Sequence, residues 1–524
     1  MGVEGEIIVI GAGLAGLTCA VHLAERGLPV TVLEADWGGL GGRLGGGDPY
    51  TFTHQGRDWT FQPEHGVHAV WGGYSNFRAT LERFTTTRLQ PSLGEEWVNR
   101  WGREVRRIEA GNAIRARFLP APFHYFNLLF RPRTWTTINP LDFLSFPGVL
   151  LSLLLTLAFD PIREGKAWDG LLLRLFFRGW TPNLRATFEG LAANLLAAPL
   201  DEIDLAAFIA ALRFYTVLRR DSWDMHYLPQ DAETSVIKPL AQAITARGGR
   251  LLGGMTAQRL ERSSMGWRVV VEDGLRGGLR SFQADQVVLA AHPSGAERLL
   301  LASDATREQA QVMRWPASVA SVVVRLWFSA DPPGIVQGGM MTGDFGPDNF
   351  FWLHRLYDDC RLWHEVTGGS VAELHFYEDK LVALPDANLV ILGVTELTRA
   401  FPALRDSFVH GTARRNSKVH PRFRVPTRNS LHVHTPWPGL HACGDWVGYD
   451  SPALWMERAS VTGIAAANAI LAEAGLPHYP ILQPPTPELL ARGLQALLRA
   501  GRRLLGPPLR AMARSRRGRS ATSR

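Results

Sequence analysis

Cysteine is scarce in this sequence. Cys19, Cys360 and Cys443 are widely separated and no CxxC pair occurs. That excludes a disulfide framework and a thiolate zinc site, and it fits a reducing, cytoplasmic compartment. No secretory leader is expected, because Glu6 to Ile10 already belong to a fold motif, and the Met-Gly start is a poor myristoylation signal. A basic face on the body is also missing. The net charge is +7, but residues 486–524 carry ten arginines against one acid, Glu488, which leaves the remainder near −2. Nucleic-acid binding needs a basic face on the folded body, so that class is excluded. Long apolar runs are short of spanning length. Phe143 to Phe159 is nearly all apolar but covers seventeen residues and includes Pro147. A spanning helix needs about 20 such residues and proline breaks helix interiors. This segment is therefore expected to lie buried or to dip into one leaflet as a lipid-facing entrance. No repeat at solenoid periods is present.

What is present begins with a strand, a tight turn, a helix and a second strand. The chain has 524 residues, 46% of them hydrophobic, which calls for two intertwined domains or one large composite unit. Ile7 to Ile10 read as a strand buried on both faces, and Leu14 to Arg26 as a helix stopped by Gly27 in a left-handed cap. Val30 to Leu33 form the next strand, with Glu34 at its carboxyl end. The turn is Gly11-Ala12-Gly13-Leu14-Ala15-Gly16, a GxGxxG spacing in the strand–helix context that gives it meaning. Gly11 permits the tight turn, Gly13 lets a pyrophosphate approach the backbone, and Gly16 lets the helix pack on the strand. The helix N-terminus offers its free N–H groups to phosphate. Glu34, twenty-three residues past Gly11, is placed for the ribose hydroxyls. A second glycine bend follows at Glu34-Ala35-Asp36 through Gly41-Gly42-Arg43 and would return a guanidinium to the pyrophosphate. This points to FAD, since an NAD-dependent dehydrogenase would normally proceed there to a crossover helix.

With these motifs the chain resembles the flavin-containing amine oxidase and carotenoid desaturase superfamily. The far end, Leu440-His-Ala-Cys-Gly444-Asp445-Trp446 followed by Pro452 to Asn468 with Met456-Glu457 inside it, is similar to that family's closing motif. The resemblance implies that Gly444 and Asp445 hold the ribityl–pyrophosphate stretch and that a helix opening at Met456 faces the isoalloxazine. It also implies that the backbone at Ala257 contacts adenine. Glu64-His65-Gly66-Val67-His68 and Trp71 to Asn76 resemble plant-type phytoene and zeta-carotene desaturases and carotene-ring aromatising (isorenieratene synthase-like) enzymes, which places Gly66 and His68 by the flavin. Here the family's paired aromatics are replaced by Val70-Trp71-Gly72-Gly73. The resemblance implies hydride loss from an allylic carbon of a carotenoid-like substrate, a quinone as electron acceptor, and no assigned acid or base; an amine or protoporphyrinogen oxidase on the same fold, or a flavin-dependent carotene isomerase without net redox turnover, are the alternatives.

The fold class expected is α/β: a Rossmann-type FAD-binding domain from residues 1–90, 240–310 and 426–475, with a mixed α+β, partly helical and membrane-associated substrate domain from 91–239 and 311–425. Within the FAD-binding domain, Arg250-Leu-Leu, Trp267 to Val271 and Gln286 to Leu289 read as a meander followed by a strand returning to the main sheet. His65 and His68 form an HxxH pair near His54, but no further ligand completes a metal spacing, so no metal is expected. His432 and His434 read as structural or exposed. Residues 476–524 are expected to be disordered in water. Leu490, Leu494, Leu497, Leu498 and Leu505 fall on one helical face and Arg492, Arg499 and Arg503 on the other, as an interfacial anchor requires. The implied location is cytoplasmic, peripheral to a membrane.

Overall fold

A computed structural model describes residues 6–164, 168, 170–264 and 266–504, with backbone alone for 417–419. Its first sheet has five parallel strands in the order Arg250–Leu252, Val30–Leu33, Ile7–Ile10, Gln286–Leu289, Leu440–Ala442. Ile7 to Ile10 and Gln286 to Leu289 are buried throughout, as a strand covered on both faces must be. The helix Leu14–Glu25 follows and ends at Gly27, whose φ is +76°. Two glycines permit close approach. A Cβ on Gly16 would sit 2.1 Å from the Gly11 carbonyl oxygen, and one on Gly463 would sit 2.6 Å from that of Ala15. The second contact docks the C-terminal helix Trp455–Glu473 onto the first helix.

The meander is Met255–Ser263, Gly266–Asp273 and Leu279–Ala284, antiparallel throughout. The expected Arg250-Leu-Leu segment is not part of it. That strand pairs in parallel with Val30–Leu33 and closes the edge of the first sheet.

A second sheet has seven strands in the order Phe408–Pro421, Ser318–Phe328, Ser370–Phe376, Asn349–Trp352, Gly338–Gly343, Glu95–Trp101, Glu104–Glu109. One face packs with the helix Asp386–Ala400 in a separate apolar cluster that includes Val324, Leu326, Leu374 and Phe376. The other face turns its alternate residues elsewhere, as period two requires. Helices Pro182–Leu196 and Leu205–Leu212 bring the middle of the chain alongside, and the second continues into a π-helical turn over Arg213–Val217.

Pro147 does not interrupt a helix. It stands at the first turn of Phe146–Ala158, where its missing N–H costs nothing. Ahead lies a 3-10 turn, Pro140–Ser145, capped reciprocally by Asn139 and Asp142. Together they make one helical run of nineteen residues, Pro140–Ala158, long and apolar enough to cross a membrane by length and composition.

Residues 489–504 are helical and docked, which corrects the expectation of disorder. Ala491 and Gln495 are buried, and Leu494 and Leu498 pack on the main core. Arg499 reaches Asp160 at 3.6 Å and Arg502 pairs with Glu164. The expected apolar stripe therefore splits, leaving Leu490 and Leu497 exposed. Leu505 and the arginines beyond it lie outside the described residues.

Candidate functional site

The carboxyl ends of the first two strands open into a cavity of about 930 Å³ whose walls come from both sheets and the helical middle. Gly11, Gly13, Leu14, Ala15, Glu34, Ala35, Gly42, Arg43, Gly66, His68, Ala257, Gly444, Asp445 and Met456 all line it. Of the residues singled out from sequence, Ala12 and Gly16 stand behind the wall. Ala12 donates its N–H to Glu34 Oε2 at 2.7 Å, and Gly16 is consumed by helix–strand packing.

At the glycine turn the protein leaves room that it does not itself use. Gly11 has φ +110° and a Cβ there would lie 2.7 Å from the Ala290 carbonyl oxygen, so the turn demands glycine. Gly13 differs: its φ is −73°, and a Cβ would meet nothing nearer than the Gly41 carbonyl oxygen at 3.8 Å. No packing demand explains that glycine, and its open side is the cavity. No side chain caps the helix that starts at Leu14, so its first N–H groups remain available to an anion. Glu34 is held by two amides, Ala12 at 2.7 Å and Asp36 at 3.0 Å, with its carboxylate on the cavity wall. These features fit the pyrophosphate and ribose of a dinucleotide.

The two motif clusters, some four hundred residues apart in sequence, meet at one ion pair. Arg43 pairs with Asp445, which is 4% exposed, and Arg43 Nη1 lies 3.2 Å from His420 Nδ1. Burial pushes His420 down to about 3, with Arg43 adding to the effect, and burial likewise pushes His65 well below the ordinary imidazole range. Both rings are neutral here. The C-terminal helix opens at Trp455, whose φ is +49°, and Trp455, Met456 and Ala459 line the cavity. Glu457 turns away and accepts N–H bonds from Asn76 and Phe77, holding the start of the helix Ser75–Phe84.

Sequence reasoning missed the far wall. On the strand Ser370–Phe376, Ala372, Leu374 and Phe376 enter the apolar cluster, while Glu373, His375 and, just beyond, Tyr377 face the other way. His375 and Tyr377 line the cavity with Asn349 and Asn194. Glu373 is pinned by Arg325 Nη2 at 2.8 Å, by the Val67 amide at 2.8 Å and by His375 Nε2 at 2.9 Å. Burial, the largest single influence, opposes its charge, but Arg325 and His375 together outweigh it and hold the carboxyl down to about 2. Glu64 closes the network by accepting from Tyr357 OH at 2.7 Å and pairing with His68 at 3.2 Å. Alternation of polar residues inside an apolar strand was the available signal. Much of the remaining wall is aromatic and apolar: Trp71, Trp97, Tyr215, Trp223, Met340 and Phe351. Tyr215, on the π-helical turn, shares a 2.8 Å hydrogen bond with Tyr74 and lies 4.8 Å from the Trp71 ring. His432 bonds the Thr427 carbonyl at 2.9 Å and His434 is exposed, as expected.

This geometry can be set beside known proteins. Residues 14–471 match the family model described as flavin containing amine oxidoreductase. The chain belongs to that family. It is accordingly a flavin-dependent oxidoreductase. It is similar to a carotenoid phi-ring synthase of Streptomyces griseus, 26% identical over 495 residues that cover 90% of this chain and 88% of that protein. It is also similar to a 15-cis-phytoene desaturase of Narcissus pseudonarcissus, 23% identical over 503 residues, 89% of this chain and 79% of that one. Among solved structures, a putrescine oxidase variant shares the fold with TM-score 0.62 at 14% identity, covering 90% of this chain and 99% of its own. Cyclohexylamine oxidase from Brevibacterium oxydans does so with TM-score 0.60 at 17% identity, covering 91% and 100%.

Proposed function

We propose that this flavoenzyme binds FAD and desaturates a carotenoid, with aromatisation of an end ring. The observation that carries the reading is that one cavity joins the glycine cradle to an aromatic, largely apolar chamber. The names of the two relatives above supply the substrate class. In this reading Gly11, Gly13 and the uncapped helix receive the pyrophosphate, Glu34 and Ala35 the ribose, and Ala257 the adenine side. Arg43, Gly42, Gly444 and Asp445 border the ribityl stretch, and Gly66, His68 and Met456 the ring. The first sheet and meander make the cofactor half; the seven-stranded sheet and the helical middle make the substrate half.

FAD supplies a two-electron acceptor for hydride from an allylic carbon. The chain's own part is to hold the polyene against that acceptor and to exclude water. Positive charge developing along the polyene would meet the faces of Trp71, Tyr215 and Trp223, which attract cations. In the ring-modifying branch the same charge permits a methyl shift. His375, oriented by Glu373 and lining the wall, is assigned the proton lost alongside the hydride.

Access from a membrane completes the proposal, with a quinone as the electron acceptor. Phe130, Trp135, Leu141, Phe143, Leu144, Phe146 and Leu151 are all exposed around the helical run Pro140–Ala158. Contiguous apolar surface of this kind marks an interaction site. Leu489, Leu497 and Leu504 of the terminal helix are exposed as well. The purified protein is expected to be yellow and to release FAD on heating. Anaerobic mixing with a carotene should bleach the flavin; isomer change without bleaching would replace desaturation by isomerisation. A colourless protein that accepts NAD but never FAD would defeat the cofactor reading.

A further inference from the structure

A second cluster lies at a corner of the seven-stranded sheet, and none of its residues lines the cavity. Asp331, His354 and His364 each bring a ligand atom to within 4.8 Å of the others. Asp331 stands in the loop after Ser318–Phe328, His354 on the turn Leu353–Arg355, and His364 on the helix Asp358–Thr367. The two imidazoles are oriented by backbone. His364 Nδ1 lies 2.7 Å from the Gly369 carbonyl oxygen, which puts the proton on Nδ1 and leaves a lone pair on Nε2. His354 Nε2 is 2.9 Å from Asp331 Oδ1, while its Nδ1 sits 3.2 Å from the Val371 amide nitrogen and 3.3 Å from the Val371 carbonyl oxygen. That nitrogen can accept from the amide or donate to the carbonyl. The ring can thus hold its proton on Nε2, toward Asp331, or move it to Nδ1 and free Nε2. Imidazole ligands of metals are typically held in this way, with the other nitrogen donating to a carbonyl.

We propose that Asp331, His354 and His364 form a binding site for a divalent cation of the zinc class, with solvent completing the coordination. Two imidazole nitrogens and one carboxylate suit zinc; magnesium and calcium call for oxygen ligands. Arg355 Nη2 also donates to Asp331 Oδ1 at 3.1 Å. Its bonds to the Val336 and Pro332 carbonyls, 2.8 and 2.7 Å, hold it when the carboxylate turns to a cation. The site joins a loop, a turn and a helix to the start of the strand Ser370–Phe376. Val371 is on the same face of that strand as Glu373 and His375, the latter about 13 Å along at 3.3 Å per residue. A bound cation therefore stiffens the strand that carries the polar wall of the cavity.

The test uses the full chain without an affinity tag, stripped with a chelator. Zn²⁺ titrated calorimetrically should bind at one equivalent and raise the thermal unfolding midpoint, and Co²⁺ should give visible d–d bands. His364→Ala, on a partly exposed helix face, should remove all three signals, and Asp331→Asn, which keeps the volume, should weaken them. His434→Ala, at an exposed histidine, should leave them intact. No binding by the parent chain in excess Zn²⁺, or one-equivalent binding retained by His364→Ala, overturns the proposal. If His364→Ala fails to fold, weakened or absent Co²⁺ bands in folded Asp331→Asn support it and their full retention overturns it.

Discussion

At the nucleotide end of the cavity the binding surface is mostly backbone: a left-handed Gly11, an open Gly13 and the uncapped helix at Leu14. At the far end it is side chain: His375, Tyr377 and Asn349 on the wall, with Glu373 and Arg325 buried behind them. The difference matters physically. Backbone N–H groups are positioned by a turn within a few residues and carry no titratable charge. The far wall takes a full carboxylate and guanidinium out of water, and each is tolerated only while the other stays. One end should be robust to pH and side-chain change and the other brittle. The seam between them, at Arg43, His420 and His65, should be where acid acts.

That seam gives the largest expected effect. Unfolded histidine titrates near 6.5, whereas buried His420 is held down to about 3 and His65 well below the ordinary range. Below about pH 6.5 the unfolded chain takes up protons that the folded chain refuses. Stability is therefore fully present above that pH and is lost as pH falls, by about 1.4 kcal/mol per unit for each histidine. At pH 4.5 His420 alone should cost about 2.7 kcal/mol, and His65 adds to it in the same direction. Urea unfolding at pH 7 and 4.5 measures it. Buried His22, His124 and His441, each pushed down to about 4, add to the same slope, so His420→Gln should lower it by about 1.4 kcal/mol per pH unit, and an unchanged slope would remove the seam from the account.

Next comes Arg325→Met. It leaves Glu373 buried without its guanidinium and should cost about 3–5 kcal/mol, whereas the double variant Arg325→Met/Glu373→Gln should recover most of that. Failure of the second change to rescue the first would show that Arg325 acts through Tyr50 and the Gln62 carbonyl instead. At the other end, Glu34→Ala should weaken cofactor retention by about 1.5–3 kcal/mol, roughly 10- to 150-fold, with little change in unfolding. Gly13→Ala sharpens this: the protein has room for the methyl group, so folding should be normal while cofactor is lost. A Gly13→Ala variant as yellow as its parent would place the close approach elsewhere.

The same contrast explains what could be read from sequence. Ile7–Ile10, Leu14–Glu25 and Val30–Leu33 came from local patterns, because turn chemistry and periodicity act over a handful of residues. Asp445 and Met456 needed resemblance, since nothing local ties them to Arg43. The far wall depended on sheet order: Glu373 is a cavity-side carboxylate only because Arg325 is its register partner on the neighbouring strand. Pro147 was misjudged because a capped turn ahead of it shifts it from the interior of a helix to its first turn. The 489–504 helix was read as free because its burial depends on a distant surface, with Asp160 and Glu164 as partners.

The smallest effect comes from Tyr377→Phe, and it tests whether the far wall does more than brace the fold. Glu373 is ionised, so it only accepts, and the proton between it and His375 belongs on Nε2. A neutral His375 then accepts at Nδ1, and Tyr377 OH, 3.2 Å away, is placed to donate. The tyrosine oxygen in turn accepts from Asn349 Nδ2 at 3.3 Å. Phenylalanine removes both bonds and keeps the ring, so the stability loss should be about 1 kcal/mol, the net worth of such bonds. Flavin content should not change, because the cradle lies at the other end of the cavity. Turnover should still fall, by about tenfold or less, because the imidazole facing the substrate has lost the partner that orients it. The comparison to make is carotene consumption per bound flavin in the variant and its parent. Equal rates would reduce Tyr377, His375 and Glu373 to a brace for the sheet and return the acid–base question to the aromatic chamber.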